Sequence, residues 1–307
     1  MKNVTDYKDK NVLVVGLGKS GLNSAYLLKE LGANVTVNDK NIPTDKQVLS
    51  ELENAGIKVI VGSHPLALLD EAELIVKNPG IPYTNPLIAE AQNRGFLIIT
   101  EPELAYEIAD ADLVGVTGTN GKTTTTTLIS LMLNHLKNKN KAYACGNIGI
   151  SAVETAKKAT VDDILVMELS SFQLLGITKL HPKIAVLTNI YEAHTDYHGS
   201  RENYVKAKMR LLKNQTKTDH FVVNFDQAEW RELSQQAKAK VVPFSRTAFT
   251  KEGAYEENGI LYFKDEAIMP ADEIKVPGTH NIENALAAIA VAKLMGVATA
   301  DIVEVLQ

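Results

Sequence analysis

Leu113-Val114-Gly115-Val116-Thr117-Gly118-Thr119-Asn120-Gly121-Lys122-Thr123-Thr124 is the stretch on which the reading of this chain turns. A short β-branched run enters a glycine turn, and Thr123–Leu136 then continues with helical spacing. Strand, glycine loop and helix in this order make a phosphate site, because amides at a helix start have no intrahelical acceptor and point at an anion. Gly118 and Gly121 would expose amides to phosphate oxygens, Lys122 would neutralise the β- and γ-phosphates, and the Thr123 hydroxyl would hold Mg²⁺. The spacing is short: the residue five before Gly121 is Val116, so the loop reads G-T-N-G-K-T. The alternative is a polar turn of chance composition.

Outward from this loop, strands are expected at Leu113–Val116, Ala142–Ala144, Ile164–Met167, Ile184–Thr188 and Phe221–Asn224. A hairpin is expected at Gly259–Phe263 and Glu266–Met269, and a helix at Asn281–Met295. Toward the N-terminus, β-branched runs at Val12–Val15, Val35–Val37, Val59–Val61, Leu74–Val76 and Leu97–Ile99 alternate with helical stretches. Alternation of this kind predicts an α/β fold. It is read as an N-terminal Rossmann-like parallel-sheet domain over 1–103 and a central P-loop ATPase-type α/β domain over 104–307. Glu101–Ala111 reads as a short acidic helix at the boundary.

A second glycine loop, Gly16-Leu17-Gly18-Lys19-Ser20-Gly21, also lies between strand and helix, and Asp39 ends the next strand. NAD, another nucleotide or phosphate ligand, and a tight turn with no ligand all remain open for it.

Downstream of the first-quoted loop, Glu168 ends a strand, where ligands of open α/β sheets gather. Mg²⁺ takes oxygen donors, so this carboxylate suits a metal-bound triphosphate; a surface glutamate fits the position equally. His194 lies in the loop after Ile184–Thr188, and its alternative is a solvated loop histidine. Lys208 falls on the helix Tyr204–Leu212 and, by pattern alone, reads as a solvated face lysine.

The 307 residues carry a net charge of −5, which argues against a nucleic-acid partner. No apolar run approaches the roughly 18 residues of a membrane helix. The single cysteine, Cys145, permits no intramolecular disulfide, so a reducing, cytoplasmic location is expected.

Taken together, NVLVVGLGKSGLNSA (Asn11–Ala25), KNPGIP (Lys77–Pro82), GVTGTNGKTTTT (Gly115–Thr126), GNIG (Gly146–Gly149), ELSSFQL (Glu168–Leu174), NIYEAHTDYHGS (Asn189–Ser200), YVKAKMR (Tyr204–Arg210) and VPGTHNIENALAA (Val276–Ala288) resemble the Mur ligase family. The short phosphate loop is a family trait. The resemblance implies an ATP-dependent acid–amino-acid ligase that adds D-glutamate to UDP-N-acetylmuramoyl-L-alanine through an acyl phosphate, in peptidoglycan precursor synthesis. It implies that Gly18, Lys19, Ser20, Asp39, Lys40, Asn78, Asn147 and Ser170 bind the uridine nucleotide substrate. Gly118, Thr119, Asn120, Gly121, Lys122, Thr123 and Thr124 would bind ATP, with Asn281 and Asn284 flanking the adenine. Lys122, Glu168, His194 and Lys208 would be catalytic. Thr123, Glu168, His194 and Lys208 would serve two Mg²⁺ ions, with Lys208 as a carbamate. A monomer is expected. So is a third, amino-acid-binding domain beyond Gln307, without which Met1–Gln307 would have little turnover. The alternatives are another ligase of Mur or folylpolyglutamate type, or an NAD-binding oxidoreductase.

Overall fold

A computed structural model describes every residue except Pro277 and Thr279, so these two positions of the Val276–Ala288 motif lie outside the described residues. The chain forms two compact units. The first comprises Met1–Ala109, Ser151–Lys158 and Phe172–Leu180, and the second comprises Asp110–Ile150, Ala159–Ser171 and His181–Gln307.

In the first unit the order is β1 Asn11–Val15, α1 Lys19–Glu30, β2 Asn34–Asp39, α2 Lys46–Asn54, β3 Lys58–Val61, β4 Leu74–Lys77, α3 Pro86–Asn93, β5 Ile98–Ile99 and α4 Glu101–Ile108. The sheet is parallel, with spatial order β3-β2-β1-β4-β5. Leu13, Val15 and Ile75 pack against Leu87, Ile88 and Ala91. Strand order reverses between β1 and β4, so the loops leaving those two strands meet at their carboxyl ends.

The chain continues with β6 Asp112–Thr117, α5 Lys122–Leu133, β7 Ala142–Gly146, α6 Ala152–Lys158, β8 Ile164–Glu168, α7 Ser171–Leu174, β9 Ile184–Leu187, α8 Thr195–His198, α9 Arg201–Met209, β10 His220–Asn224, α10 Ala228–Ser234, β11 Lys240–Ser245, β12 Ala254–Glu257, β13 Ile260–Phe263, β14 Glu266–Pro270, α11 His280–Met295 and α12 Thr299–Leu306. The nine-stranded sheet runs β14-β13-β12-β11-β10-β9-β6-β8-β7, with only the β12–β13 and β13–β14 pairs antiparallel. α5 and α11 cover the sheet: Leu128, Ile129 and Met132 meet Val114, Val166 and Val186, and Leu286 and Ile289 join the same core. The alanines of α11 let it lie close, and ten of its residues are buried.

The architecture is the α/β class expected, and the hairpin forms. β11 and β12 were not anticipated. Pro243 interrupts the first run, and a proline cannot donate to a ladder. It is tolerated because β11 pairs with β12 only through Phe244 and Ser245, just past it.

The sequence reading put the domain boundary at residue 103; contacts divide after Ala109. α4 is no solvated linker, because it buries Leu104, Ala105, Ile108 and also both glutamates of its first turn. Glu103 accepts hydrogen bonds from the Thr178 amide (2.9 Å) and hydroxyl (2.5 Å) and from the amides of Lys179 (2.5 Å) and Leu180 (3.1 Å). Glu101 accepts from the Ser151 hydroxyl at 2.7 Å and the Val153 amide at 3.3 Å, and burial raises its pKa. These two carboxylates draw α6 and the 172–180 segment into the first unit. Glu103→Ala, which strands four donors, is expected to destabilise this unit by about 3 kcal/mol. Hydrogen–deuterium exchange of the Thr178 and Leu180 amides measures it, and unchanged protection would show that the clamp holds nothing.

Candidate active site

β6 lies between β8 and β9 in the second sheet, with Val116 opposite Glu168 and Thr117 opposite Leu187. The glycine loop leaves β6 between these two strand ends. Gly118 (φ +156°) lies so close to Thr188 that a Cβ there would overlap its hydroxyl. Gly121 (φ +79°) likewise meets the side-chain oxygen of Asn284. The loop is tied to the strand after it. The Thr119 amide donates to the Asn189 carbonyl (3.0 Å) and the Asn120 amide to Asn189 Oδ1 (2.9 Å). The Asn120 carbonyl accepts from Thr188 Oγ1 (2.7 Å) and Asn189 Nδ2 (3.1 Å). The amides of Thr119 and Asn120 are thus committed within the protein. The anion-facing amides are those that open α5, from Lys122 through Thr124, behind a Gly121 N-cap that supplies no side-chain acceptor.

Lys122 is near enough to Glu168 for the carboxylate's charge to act on it. Thr123 Oγ1 donates to Glu168 Oε2 at 2.7 Å, and Asn147 Nδ2 donates to Glu168 Oε1 at 2.8 Å. Glu168 is 1% exposed, so the bland reading of a surface glutamate is wrong. Lys122 Nζ donates to the Thr119 carbonyl at 2.8 Å. Burial lowers the Lys122 pKa, and the Glu168 charge opposes that shift.

Lys208 is 2% exposed, so the pattern reading of a solvated lysine is corrected. α9 buries Tyr204, Val205, Ala207 and Lys208, and two of these, Tyr204 and Lys208, reach the glycine loop. Lys208 Nζ donates to the Gly118 carbonyl at 2.6 Å and stands 4.7 Å from the Tyr204 ring centroid. Desolvation, followed by the Lys122 charge, pushes its pKa down to about 7 against the pull of Glu168.

His194 has left-handed backbone (φ +53°) at the start of α8, and its exposed ring lies 6.1 Å from that of Tyr204. Two neighbours escaped the sequence reading. His198 is buried with Nε2 2.9 Å from Ser171 Oγ, and the Tyr204 hydroxyl lies 3.0 Å from Thr119 Oγ1. Burial, then the charges of His194 and Lys208, lower the His198 pKa. The four-residue spacing of the two histidines was the available signal. Ser170 is half-buried after β8. Asn281 and Asn284 sit in the first turns of α11, where Asn284 Nδ2 donates to Asn281 Oδ1 (2.8 Å) and Thr125 Oγ1 donates to Asn284 Oδ1 (3.3 Å). They stand behind Gly121 and buttress it.

The first unit has its own loop at the β1–β4 switch point. Gly16 is left-handed (φ +103°), Gly18 caps α1, and Lys19 and Ser20 open that helix. Asp39 accepts from the Leu17 amide (2.7 Å) and the Asn41 amide (2.8 Å), while Lys40 beside it is exposed. Part of the loop's donor row is therefore met by the protein's own carboxylate. Cβ atoms on Gly16 and Gly18 would come within 2.6 Å and 2.5 Å of the Asn78 side chain, so Asn78 closes directly over this loop.

Gly121→Ala and Gly259→Ala separate fit from backbone strain. Their φ angles are +79° and +77°, but a Cβ on Gly259 meets nothing within 4 Å. Gly259→Ala should cost about 1 kcal/mol, and Gly121→Ala at least about 2 kcal/mol more. Denaturant unfolding followed by the fluorescence of Trp230, the single tryptophan, reads this in the second unit. Equal losses would remove the packing argument for Gly121.

Comparison with known proteins agrees with this geometry. Residues 116–292 match the family model described as Mur ligase middle domain, and residues 10–100 match Mur ligase MurD-like, N-terminal domain. The UDP-N-acetylmuramoylalanine–D-glutamate ligase of Ligilactobacillus salivarius is 65% identical over 306 residues, covering 100% of this chain and 67% of the relative. That of Lactiplantibacillus plantarum is 61% identical over 308 residues, with the same coverage. Among solved structures, UDP-N-acetylmuramate:L-alanyl-gamma-D-glutamyl-meso-diaminopimelate ligase from Neisseria meningitides superposes with a TM-score of 0.64 at 22% identity, over 97% of both chains. UDP-N-acetylmuramate–alanine ligase from Thermotoga maritima gives 0.55 at 24% identity, over 97% of this chain and 67% of that one. At such identities these two speak for the fold. The sequence relatives and the family models go further: this chain belongs to the Mur ligase family.

Proposed function

We propose that this chain carries the nucleotide sites of an ATP-dependent ligase that joins D-glutamate to UDP-N-acetylmuramoyl-L-alanine in peptidoglycan precursor synthesis. The observation that carries this reading is the buried Glu168 carboxylate, bonded to the Thr123 hydroxyl at the mouth of the Lys122 loop. Relatives that share the whole chain at 65% and 61% identity bear that name.

The substrate carboxylate attacks the γ-phosphorus of ATP and ADP leaves, giving an acyl phosphate. The amine of D-glutamate then attacks the acyl carbon, phosphate departs, and an amide remains. In this reading Lys122 and the amides opening α5 hold the β- and γ-phosphates, and Asn281 and Asn284 lie toward the adenine. The first unit takes the uridine nucleotide at Gly18, Lys19, Ser20, Asp39, Lys40 and Asn78. A cytoplasmic location suits an enzyme that consumes ATP.

The Thr123 hydroxyl and Glu168 carboxylate, two hard oxygen donors 2.7 Å apart, fit Mg²⁺, which would neutralise phosphate charge when bound. His194 would complete that set. Lys208, with a pKa near 7, keeps a large neutral fraction at neutral pH. Its lone pair can add to the carbon of CO₂, and loss of a proton to solvent leaves a carbamate. That exchange of a cation for an oxygen anion would serve a second Mg²⁺.

In a chimera completed with the remaining third of the Ligilactobacillus salivarius relative, Lys122→Ala should lower phosphate release about a thousandfold while uridine nucleotide binding persists. Unchanged turnover would sink the loop assignment. With ¹³C-bicarbonate, the unaltered protein should show a carbamate carbon resonance that Lys208→Met lacks. The same spectrum from both would remove the modification.

A further inference from the structure

β4 ends in a lysine that points inward, and burial pushes its pKa down to about 7. The strand Leu74–Lys77 is buried along its length, and Lys77 is 1% exposed. Lysines at strand ends usually reach for solvent with the ammonium while the stem covers apolar surface. Here Nζ turns back and donates to three carbonyls of the following turn: Asn78 at 3.1 Å, Pro79 at 3.2 Å and Ile81 at 2.7 Å. The Tyr83 ring takes another side of the ammonium, 4.9 Å from its centroid.

That turn is the one that closes over the glycine loop. The Ile81 amide donates to the Asn78 carbonyl (3.1 Å), and the Gly80 amide donates to Asn78 Oδ1 (3.2 Å). The Asn78 amide donates to the Val15 carbonyl at 2.8 Å, which anchors the turn to the end of β1. Asn78 Oδ1 is thereby oriented within the turn, and its Nδ2 faces Gly18. Carbonyls that diverge in an ordinary turn are gathered here onto one amino group, so removing it leaves those of Pro79 and Ile81 without this donor.

We infer that Lys77 is a positioning residue for the uridine nucleotide site: its buried amino group, donating to the carbonyls of the Asn78–Ile81 turn, holds that turn so that the Asn78 side chain meets the glycine loop. This rests on the reading that the first unit holds that nucleotide. Lys77 acts through Asn78, so its loss should weaken nucleotide affinity and leave the ATP site of the second unit alone.

The test is calorimetric titration of UDP-N-acetylmuramoyl-L-alanine into the unaltered chain, Lys77→Met and Lys77→Ala, with circular dichroism of each as the check on folding and MgATP titrated into each as the control for the second unit. Lys77→Met, which keeps the stem and removes the donor, should bind the uridine nucleotide at least tenfold more weakly with MgATP affinity unchanged. Lys77→Ala should be weakened likewise and regain affinity with added propylammonium, which restores a donor in the space left. Tetramethylammonium, which has no N–H, should restore nothing. Undiminished binding by Lys77→Met overturns the inference, and so does Lys77→Ala that no amine rescues, because a purely structural loss would not respond to the donor. If the unaltered chain fails to bind the nucleotide, the reading of the first unit falls and the inference with it, a result visible before any variant is titrated.

Discussion

A carboxylate buried at the end of a central strand must have donors, and most of the second unit's site follows from satisfying Glu168. The parallel register sets Val116 opposite Glu168, so the chain leaving β6 begins beside that charge. One Glu168 oxygen takes the hydroxyl of Thr123 in the first turn of α5, and the other takes the amide of Asn147, just past β7. Three neighbouring strands thus deliver their exits to one point. Asn189 adds a fourth by holding the Thr119 and Asn120 amides from the β9 side. The loop's shape is imposed by neighbours on both sides, and its glycines are where those neighbours leave no space for a Cβ.

The first unit reaches a comparable result with other chemistry. Its loop meets the β4 exit at the switch point of a smaller sheet, and Asp39 caps the Leu17 amide from β2. Where the second unit gathers donors on a buried carboxylate, this one gathers carbonyls on a buried amino group. A turn without regular pairing needs its polar groups met somewhere. The Lys77 stem carries the donor to them from inside the sheet.

How much of this was legible in the sequence follows from range. Strand–helix alternation, the two glycine loops and the hairpin are local patterns with fixed periods, and each forms close to where the residues put it. Glu103 could not be read locally, because its partners lie 75 to 77 residues away; an acidic helix start looks the same whether solvated or clamped. Lys208 misled for a related reason. Helical periodicity sorts faces by polarity, and α9 buries a lysine beside Val205 and Ala207 because the glycine loop it meets offers the Gly118 carbonyl. The family resemblance corrected that residue where the pattern could not. β11 was lost to Pro243, whose tolerance depends on where a neighbouring strand begins to pair.

Two lysines, Lys122 and Lys208, feel the Glu168 charge without pairing with it, and that imbalance bears on why the pocket suits its proposed ligands. Lys122 and Lys208 are each pushed below the ordinary lysine range by burial, and the Lys122 charge depresses Lys208 further. With both protonated, cations outnumber the anion in a region of low dielectric, an arrangement that a polyphosphate relieves. Carbamate formation at Lys208 would reverse the count, leaving one cation facing two anions, and such a site calls for a divalent metal. ATP arrives as a metal complex, so a pocket that must receive both phosphate and metal is served by a group able to change sign. A lysine with an ordinary pKa could not do so at neutral pH, since its amine would almost never be free to react. The burial that makes Lys208 costly to charge is therefore the same property that would let it become a ligand.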